Sequence, residues 1–68
     1  MKNESVKLGK NLKKIRTEKG ISQGDIARFL DVSRGYISNI ENGKANPTLS
    51  TIAKLAKSIK TEIDSLIK

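Results

Sequence analysis

Apolar residues recur along this chain at helical spacing and never settle into the alternation of a half-buried strand. Leu8, Leu12 and Ile15 stand at i, i+4 and i+7, whereas Lys7, Lys10 and Lys14 fall on a different face. This spacing predicts a first helix from Ser5, its cap, to about Lys19, with residues 1–4 as a frayed tail. Gly20 ends it, because glycine takes the left-handed position after a helix without a Cβ penalty. Ile21 then turns back toward the core.

The next punctuation is sharper. Ser22 and Asp25 form a capping box, S-x-x-D, that opens a helix from Gln23 to about Leu30. Ser33 caps a third helix running to about Asn42, so only Asp31 and Val32 remain to turn the corner. Ile26, Ala27, Leu30, Val32, Ile37 and Ile40 let the two helices bury a face against each other, with the small Ala27 where their backbones approach. Asn42 and Gly43 close the third helix, and Lys44 to Pro47 form a loop. Thr48 caps a fourth helix with Leu49, Ile52, Leu55, Ala56 and Ile59 on its inner face. A second box, Thr61 with Asp64, opens a last short helix carrying Ile63, Leu66 and Ile67. The expected architecture is all-α: a compact bundle of five helices forming a single domain over residues 1–68.

Residues 23–42 thus read as a helix-turn-helix unit, an arrangement whose second helix enters the DNA major groove. Charge changes this picture in one respect. The formal net charge is +7, from 14 Lys or Arg against 7 Asp or Glu, which favours a polyanionic partner through counterion release. Residues 1–19 carry +5, residues 20–43 carry −1 and residues 44–68 carry +3, so the recognition unit is nearly neutral and basic segments flank it. The helix-1 lysines form a stripe that reads as a solvated face contributing long-range field.

The 68 residues include no cysteine and no histidine, which removes disulfides, thiolate metal sites and the commonest general base. No clustered carboxylates replace them, so the expectation is a protein that is not an enzyme, with no catalytic residues, no metal and no cofactor. No apolar run approaches the roughly 20 residues that span a bilayer, and no leader-like segment opens the chain. A cytoplasmic protein, nucleoid-associated when bound and without a membrane partner, is expected.

The ordered set Leu8, Leu12, Ile15, Arg16, then Gly20-Ile21-Ser22-Gln23, Ala27, Leu30, Val32-Ser33-Arg34, Ile37-Ser38, Glu41-Asn42-Gly43-Lys44, Asn46-Pro47, Leu49 and Leu55-Ala56 carries a resemblance. From about Leu8 to Ile67 the chain resembles the phage-repressor, Cro-like (Xre-type) helix-turn-helix family, whose fold is the lambda repressor-like DNA-binding domain. The resemblance implies that Arg34, Gly35, Tyr36, Ser38 and Asn39 face the base edges. Arg suits guanine O6 and N7, and Asn suits adenine N6 and N7. Gly35 leaves room for the backbone or reads nothing, and Tyr36 offers its ring to a thymine methyl or its hydroxyl to a phosphate. The resemblance places phosphate contacts at Ser22, Gln23, Asn42, Lys44 and Asn46. Ser22 is then a pure cap or a cap whose neighbouring N–H groups also face the backbone of the duplex. Arg16 and Glu41 are implied to form a structural ion pair between helix 1 and the end of helix 3, the alternative being two surface charges.

Three positions depart from the family pattern. Asp31 occupies a corner where glycine is usual, and tolerates the left-handed conformation at a cost of roughly 1 kcal/mol. Lys60 replaces a glycine between helices 4 and 5, leaving open a different or continuous join. Phe29 lies where a polar residue is common, either as satellite packing or as a partner contact.

The function expected from these readings is a sequence-specific transcriptional regulator, a repressor or operon controller, binding double-stranded DNA at a palindromic operator. A homodimer would form through the C-terminal segment, Ile59, Ile63, Leu66 and Ile67, and a contact with RNA polymerase would decide between activation and repression. The alternative is a helical protein-interaction module, such as an antitoxin-like partner binder, using Phe29 and the C-terminal apolar residues.

Overall fold

A computed structural model describes residues 2–68, with side chains from Glu4 onward. Five helices follow one another: α1 (Lys2–Glu18), α2 (Gln23–Leu30), α3 (Arg34–Glu41), α4 (Leu49–Ser58) and α5 (Ile63–Ile67). The expected helix-turn-helix is therefore present, with α1 packed on α3 and α5, α2 on α3 and α4, and α4 on α5.

The core is one cluster. Leu8 and Leu12 from α1, Ile26 and Ala27 from α2, Ile37 and Ile40 from α3, Leu55 and Ala56 from α4, Ile59 at the α4 cap and Leu66 from α5 are all buried. Ile15, Ile21, Leu30, Tyr36, Ala45, Ile52 and Ile63 pack partly against it. Each helix thus contributes apolar residues at helical spacing to the core, although Val6, Phe29, Leu49 and Ile67 stay exposed.

The first four helices end in the same way. At each end one residue takes a left-handed conformation: Gly20 (φ 71°), Asp31 (φ 60°), Gly43 (φ 73°) and Lys60 (φ 55°). The following N–H reaches back to a carbonyl five residues earlier. These bonds are Ile21 N to Arg16 O at 2.8 Å, Val32 N to Ala27 O at 2.9 Å, Lys44 N to Asn39 O at 2.8 Å and Thr61 N to Ala56 O at 2.9 Å. This Schellman closure satisfies carbonyls that the helix end leaves unpaired. Asp31 turns the corner as expected, and Lys60 shows that α4 and α5 are joined by a turn rather than a continuous helix.

Several expectations are corrected. Helix α1 begins at Lys2, so Lys2–Glu4 are helical rather than frayed, while Met1 lies outside the described residues. Ser5 is accordingly no cap; it shares the inward side of α1 with Leu8 and Leu12 and is 9% exposed. The box at Thr61 and Asp64 does not form. Thr61 is consumed by the closure of α4, and Glu62 becomes the start of α5 without a side-chain cap. Leu49, expected on the inner face of α4, is 68% exposed and stands outside the core cluster. Ile59 and Leu66, expected on a dimer surface, are wholly buried inside the single chain and cannot form one. Phe29 is 56% exposed and stands outside the core cluster.

Two side chains tie the ends of the bundle together. Asn11 Nδ2 donates to Leu66 O at 2.8 Å, fastening α1 to α5. Lys19 Nζ donates to Ile59 O at 2.7 Å and Lys60 O at 2.8 Å, where a cation meets the negative end of α4.

Candidate nucleic-acid interface

The candidate surface starts from two local caps. Asp25 N donates to Ser22 Oγ and Ser22 N donates to Asp25 Oδ2, both at 3.0 Å, completing the capping box at the start of α2. These hydrogen bonds hold the Asp25 carboxyl below its ordinary pKa, with the backbone bond from Ser22 the largest cause. Ser33 Oγ accepts from Tyr36 N at 3.1 Å and fixes the start of α3. Ser22 is therefore a cap, and the backbone around it is held in place for whatever approaches from outside.

Helix α3 then divides by face. Ile37 and Ile40 point into the core, and Arg34, Gly35 and Asn39 point to solvent. The Arg34 and Asn39 side chains make no hydrogen bond within the described chain, so their donors and acceptors are unspent. Gly35 is open: a Cβ there would meet nothing nearer than Ser33 Oγ at 3.9 Å. Tyr36 and Ser38 are half-buried, and the Tyr36 ring rests partly against the core. The five expected base-reading positions thus separate into three fully presented and two flanking ones.

The far end of α3 is built around Glu41, whose side chain is only 3% exposed. Arg16 Nε donates to Glu41 Oε2 at 2.5 Å and Arg16 Nη2 to Glu41 Oε1 at 3.0 Å, a bidentate pair. This settles the pair in favour of a structural link over two independent surface charges. Its hydrogen bond to Glu41 raises the Arg16 pKa above its ordinary value, despite some opposing desolvation. A third donor joins them, since Gln23 Nε2 reaches Glu41 Oε1 at 2.9 Å. The first residue of α2 and the last of α3 are therefore in contact. Ser22, Gln23 and the exposed Asn42 consequently gather at one end of α3, with exposed Lys44 and Asn46 following in the loop.

One functional requirement escaped sequence reasoning. Gly9 lies under the end of α3, where an added Cβ would sit 2.4 Å from Ile40 O and 2.6 Å from Glu41 O. A close approach of helix backbones thus occurs at Gly9, between α1 and α3. A glycine inside a helix with no partner in view reads as weakness, and only the crossing reveals its use. The Gln23–Glu41 contact was equally hidden, because each residue had a sufficient separate role.

This geometry and the known proteins agree. The HTH_3 helix-turn-helix family model matches residues 12–66. The chain is 43% identical over 60 residues to the SPbeta prophage-derived HTH-type transcriptional regulator YonR of Bacillus subtilis, covering 88% of this chain and 56% of that protein. It is 36% identical to the control protein C.MunI of a Mycoplasma species, over 97% of this chain and 90% of the other. Among solved structures, the restriction-modification controller C.AhdI from Aeromonas hydrophila superposes with a TM-score of 0.87 at 36% identity, covering 94% and 97% of the two chains. The controller C.Esp1396I, solved as a tetramer in complex with its natural 35 base-pair operator, superposes at 0.78 with 30% identity over 94% of this chain and 95% of that one. Fold and comparisons together place the chain among helix-turn-helix domains of the transcriptional-regulator type. The chain belongs to the HTH_3 helix-turn-helix family, which agrees with the repressor- and Cro-like resemblance of its sequence. It spans 56% of the length of its Bacillus relative and 49% of the Deinococcus deserti regulator DdrOP3.

Proposed function

We propose that this chain regulates transcription by reading a roughly palindromic operator, with Arg34, Gly35 and Asn39 at the base edges and Tyr36 and Ser38 beside them. The observation that carries this reading is the solvent face of α3, polar and without internal hydrogen bonds, on a helix whose other sides are fixed by core packing and by Glu41. Ser22, Gln23, Asn42, Lys44 and Asn46 hold phosphates and set register, and the lysine-rich flanks supply long-range attraction.

One module of this size offers a small interface, so two copies are needed for useful affinity. A symmetric dimer would place its reading helices about 34 Å apart, one turn of the duplex. The exposed Ile67 and half-buried Ile63 remain available as its contact, while Ile59 and Leu66 are committed to the core. The tetrameric assembly of C.Esp1396I on its operator supports a multimeric reading. A protein that remains monomeric in ultracentrifugation at high micromolar concentration would remove the dimer from this account. A cytoplasmic, nucleoid-associated location follows from the proposed role, and contact with RNA polymerase would decide its sign.

The decisive experiment is selection of bound duplexes from a random pool at fixed salt. Arg34→Ala and Asn39→Ala should then each cost about 1–3 kcal/mol on the selected site and relax preference at one base pair. Intact affinity and preference in both variants would exclude α3 as the reader. One observation favours a second reading, a protein-interaction module: Phe29 is exposed on α2. That reading gains if the Arg34 and Asn39 variants behave as wild type and no duplex is enriched.

A further inference from the structure

We infer that Glu41 is a positioning residue for DNA binding: it holds the Gln23 amide nitrogen in place through one N–H and leaves the second N–H of that nitrogen to meet a phosphate. The inference rests on the proposed phosphate contact of Gln23 and adds to it a reason why that contact is preorganised.

A buried carboxylate accepts hydrogen bonds and donates none. Glu41 Oε2 takes the Arg16 Nε donor, and Oε1 takes both Arg16 Nη2 and Gln23 Nε2. A glutamine amide is nearly symmetric in shape, so only its partners decide which of nitrogen and oxygen faces inward. Beside a carboxylate the nitrogen must face inward, because an amide oxygen there would set two acceptors against each other. One N–H is spent on Glu41 and the second N–H of the same nitrogen remains free, the donor a phosphate requires.

The same pair fixes the backbone leading to Gln23. Arg16 Nη1 donates to Ile21 O at 3.2 Å, and Arg16 O accepts from Ile21 N at 2.8 Å. The residue ahead of the capping box is thus held by Arg16, and the residue behind the cap by Glu41. A long, rotamer-rich side chain at an interface ordinarily loses freedom on binding; here much of that freedom is already gone in the unbound protein.

The test compares Gln23→Ala in two backgrounds, wild type and Arg16→Met with Glu41→Leu, on a duplex recovered by the selection above, at one salt concentration. Replacement of a buried ion pair by apolar residues of similar volume commonly preserves folding, which circular dichroism verifies. In the wild-type background Gln23→Ala should weaken binding about tenfold, the cost of a hydrogen bond to a charged group. In the apolar background the same change should cost less than about twofold, and that background should itself bind several-fold more weakly with unchanged base preference. An equal cost in both backgrounds overturns the coupling and leaves the phosphate contact standing. No cost in either background overturns the phosphate contact, and the inference with it. If the apolar variant does not fold, Glu41→Gln provides the second background. In the free wild-type protein, one of the two Gln23 side-chain amide protons should exchange slowly by nuclear magnetic resonance; two equally fast protons contradict the inference.

Discussion

The two ends of α3 are held by different means. At its start, the chain turns through Asp31 and Val32, both exposed, and among the described residues the side-chain hydrogen bond there is the local Ser33 cap. At its finish, Gly9 lets α1 come within backbone contact, and Glu41 is gripped by Arg16 and Gln23 from two other helices. The first end is shaped by local conformation, the second by tertiary contacts between residues distant in sequence. A corner residue in a left-handed conformation is a matter of about 1 kcal/mol, whereas a buried pair broken on one side costs several times that. The direction in which α3 points is therefore set at its finish more than at its corner.

The largest effect should come from breaking the finish. Glu41→Ala leaves Arg16 largely buried without its partner and should lower stability by about 3 kcal/mol, measured by urea denaturation. For a domain of this size, with total stability of roughly 3–10 kcal/mol, that is enough to populate unfolded chain. Next comes Gly9→Ala, whose methyl would press on two carbonyl oxygens of α3. Backbone cannot rotate aside as a side chain can, so a loss of about 1–3 kcal/mol is expected. A Gly9→Ala protein as stable as wild type would mean that the α1–α3 crossing can widen freely.

The corner should respond in the opposite direction. Asp31→Gly relieves the left-handed strain and should stabilise by up to about 1 kcal/mol without shifting the selected DNA site. Lys60→Gly, at the equivalent end of α4, should behave alike, although Lys60 O also accepts from Lys19. A changed site preference in Asp31→Gly would return control of the helix direction to the corner.

The smallest effect concerns acid. The Asp25 carboxyl has a lowered pKa in the folded state, so its cap contributes above the unfolded carboxylate pKa, roughly pH 4. That contribution disappears as pH falls through the folded value. Asp25→Asn should flatten this part of the stability profile below about pH 4 and leave DNA binding at neutral pH unchanged, with circular dichroism on acid titration as the measurement.

Much of this contrast is visible in the sequence, and the part that is not has a physical reason. Ser22 with Asp25, Ser33, Thr48, Gly20 and Gly43 mark boundaries through local chemistry, and those boundaries stand where local reading puts them. Ser5 and Thr61 bear the same signals and misled, because a capping residue marks a helix start only if the preceding residues leave the helix free to begin there. Lys2–Glu4 continue α1 outward, and the closure of α4 had already used Thr61. Leu49 fits the apolar stripe of α4, but periodicity states a direction without stating whether a neighbour is present on that side. Ile59 and Leu66 are expected on a dimer surface, yet both are wholly buried in the core that α1 to α5 build together. The candidate reading face is legible through resemblance and exposure, whereas the Gln23–Glu41 contact depends on two helices meeting.

The openness of Gly35 has a consequence for how such a domain acquires new targets. Because the Arg34 and Asn39 side chains make no hydrogen bond among the described residues, and space surrounds Gly35, substitution there should leave the scaffold intact. Exchange of glycine for alanine in a helix even favours folding, by up to about 1 kcal/mol. These three positions form a small alphabet that can be rewritten without refolding the word. A library randomised at 34, 35 and 39 should yield mostly folded proteins, among which altered operator preference can be sought directly.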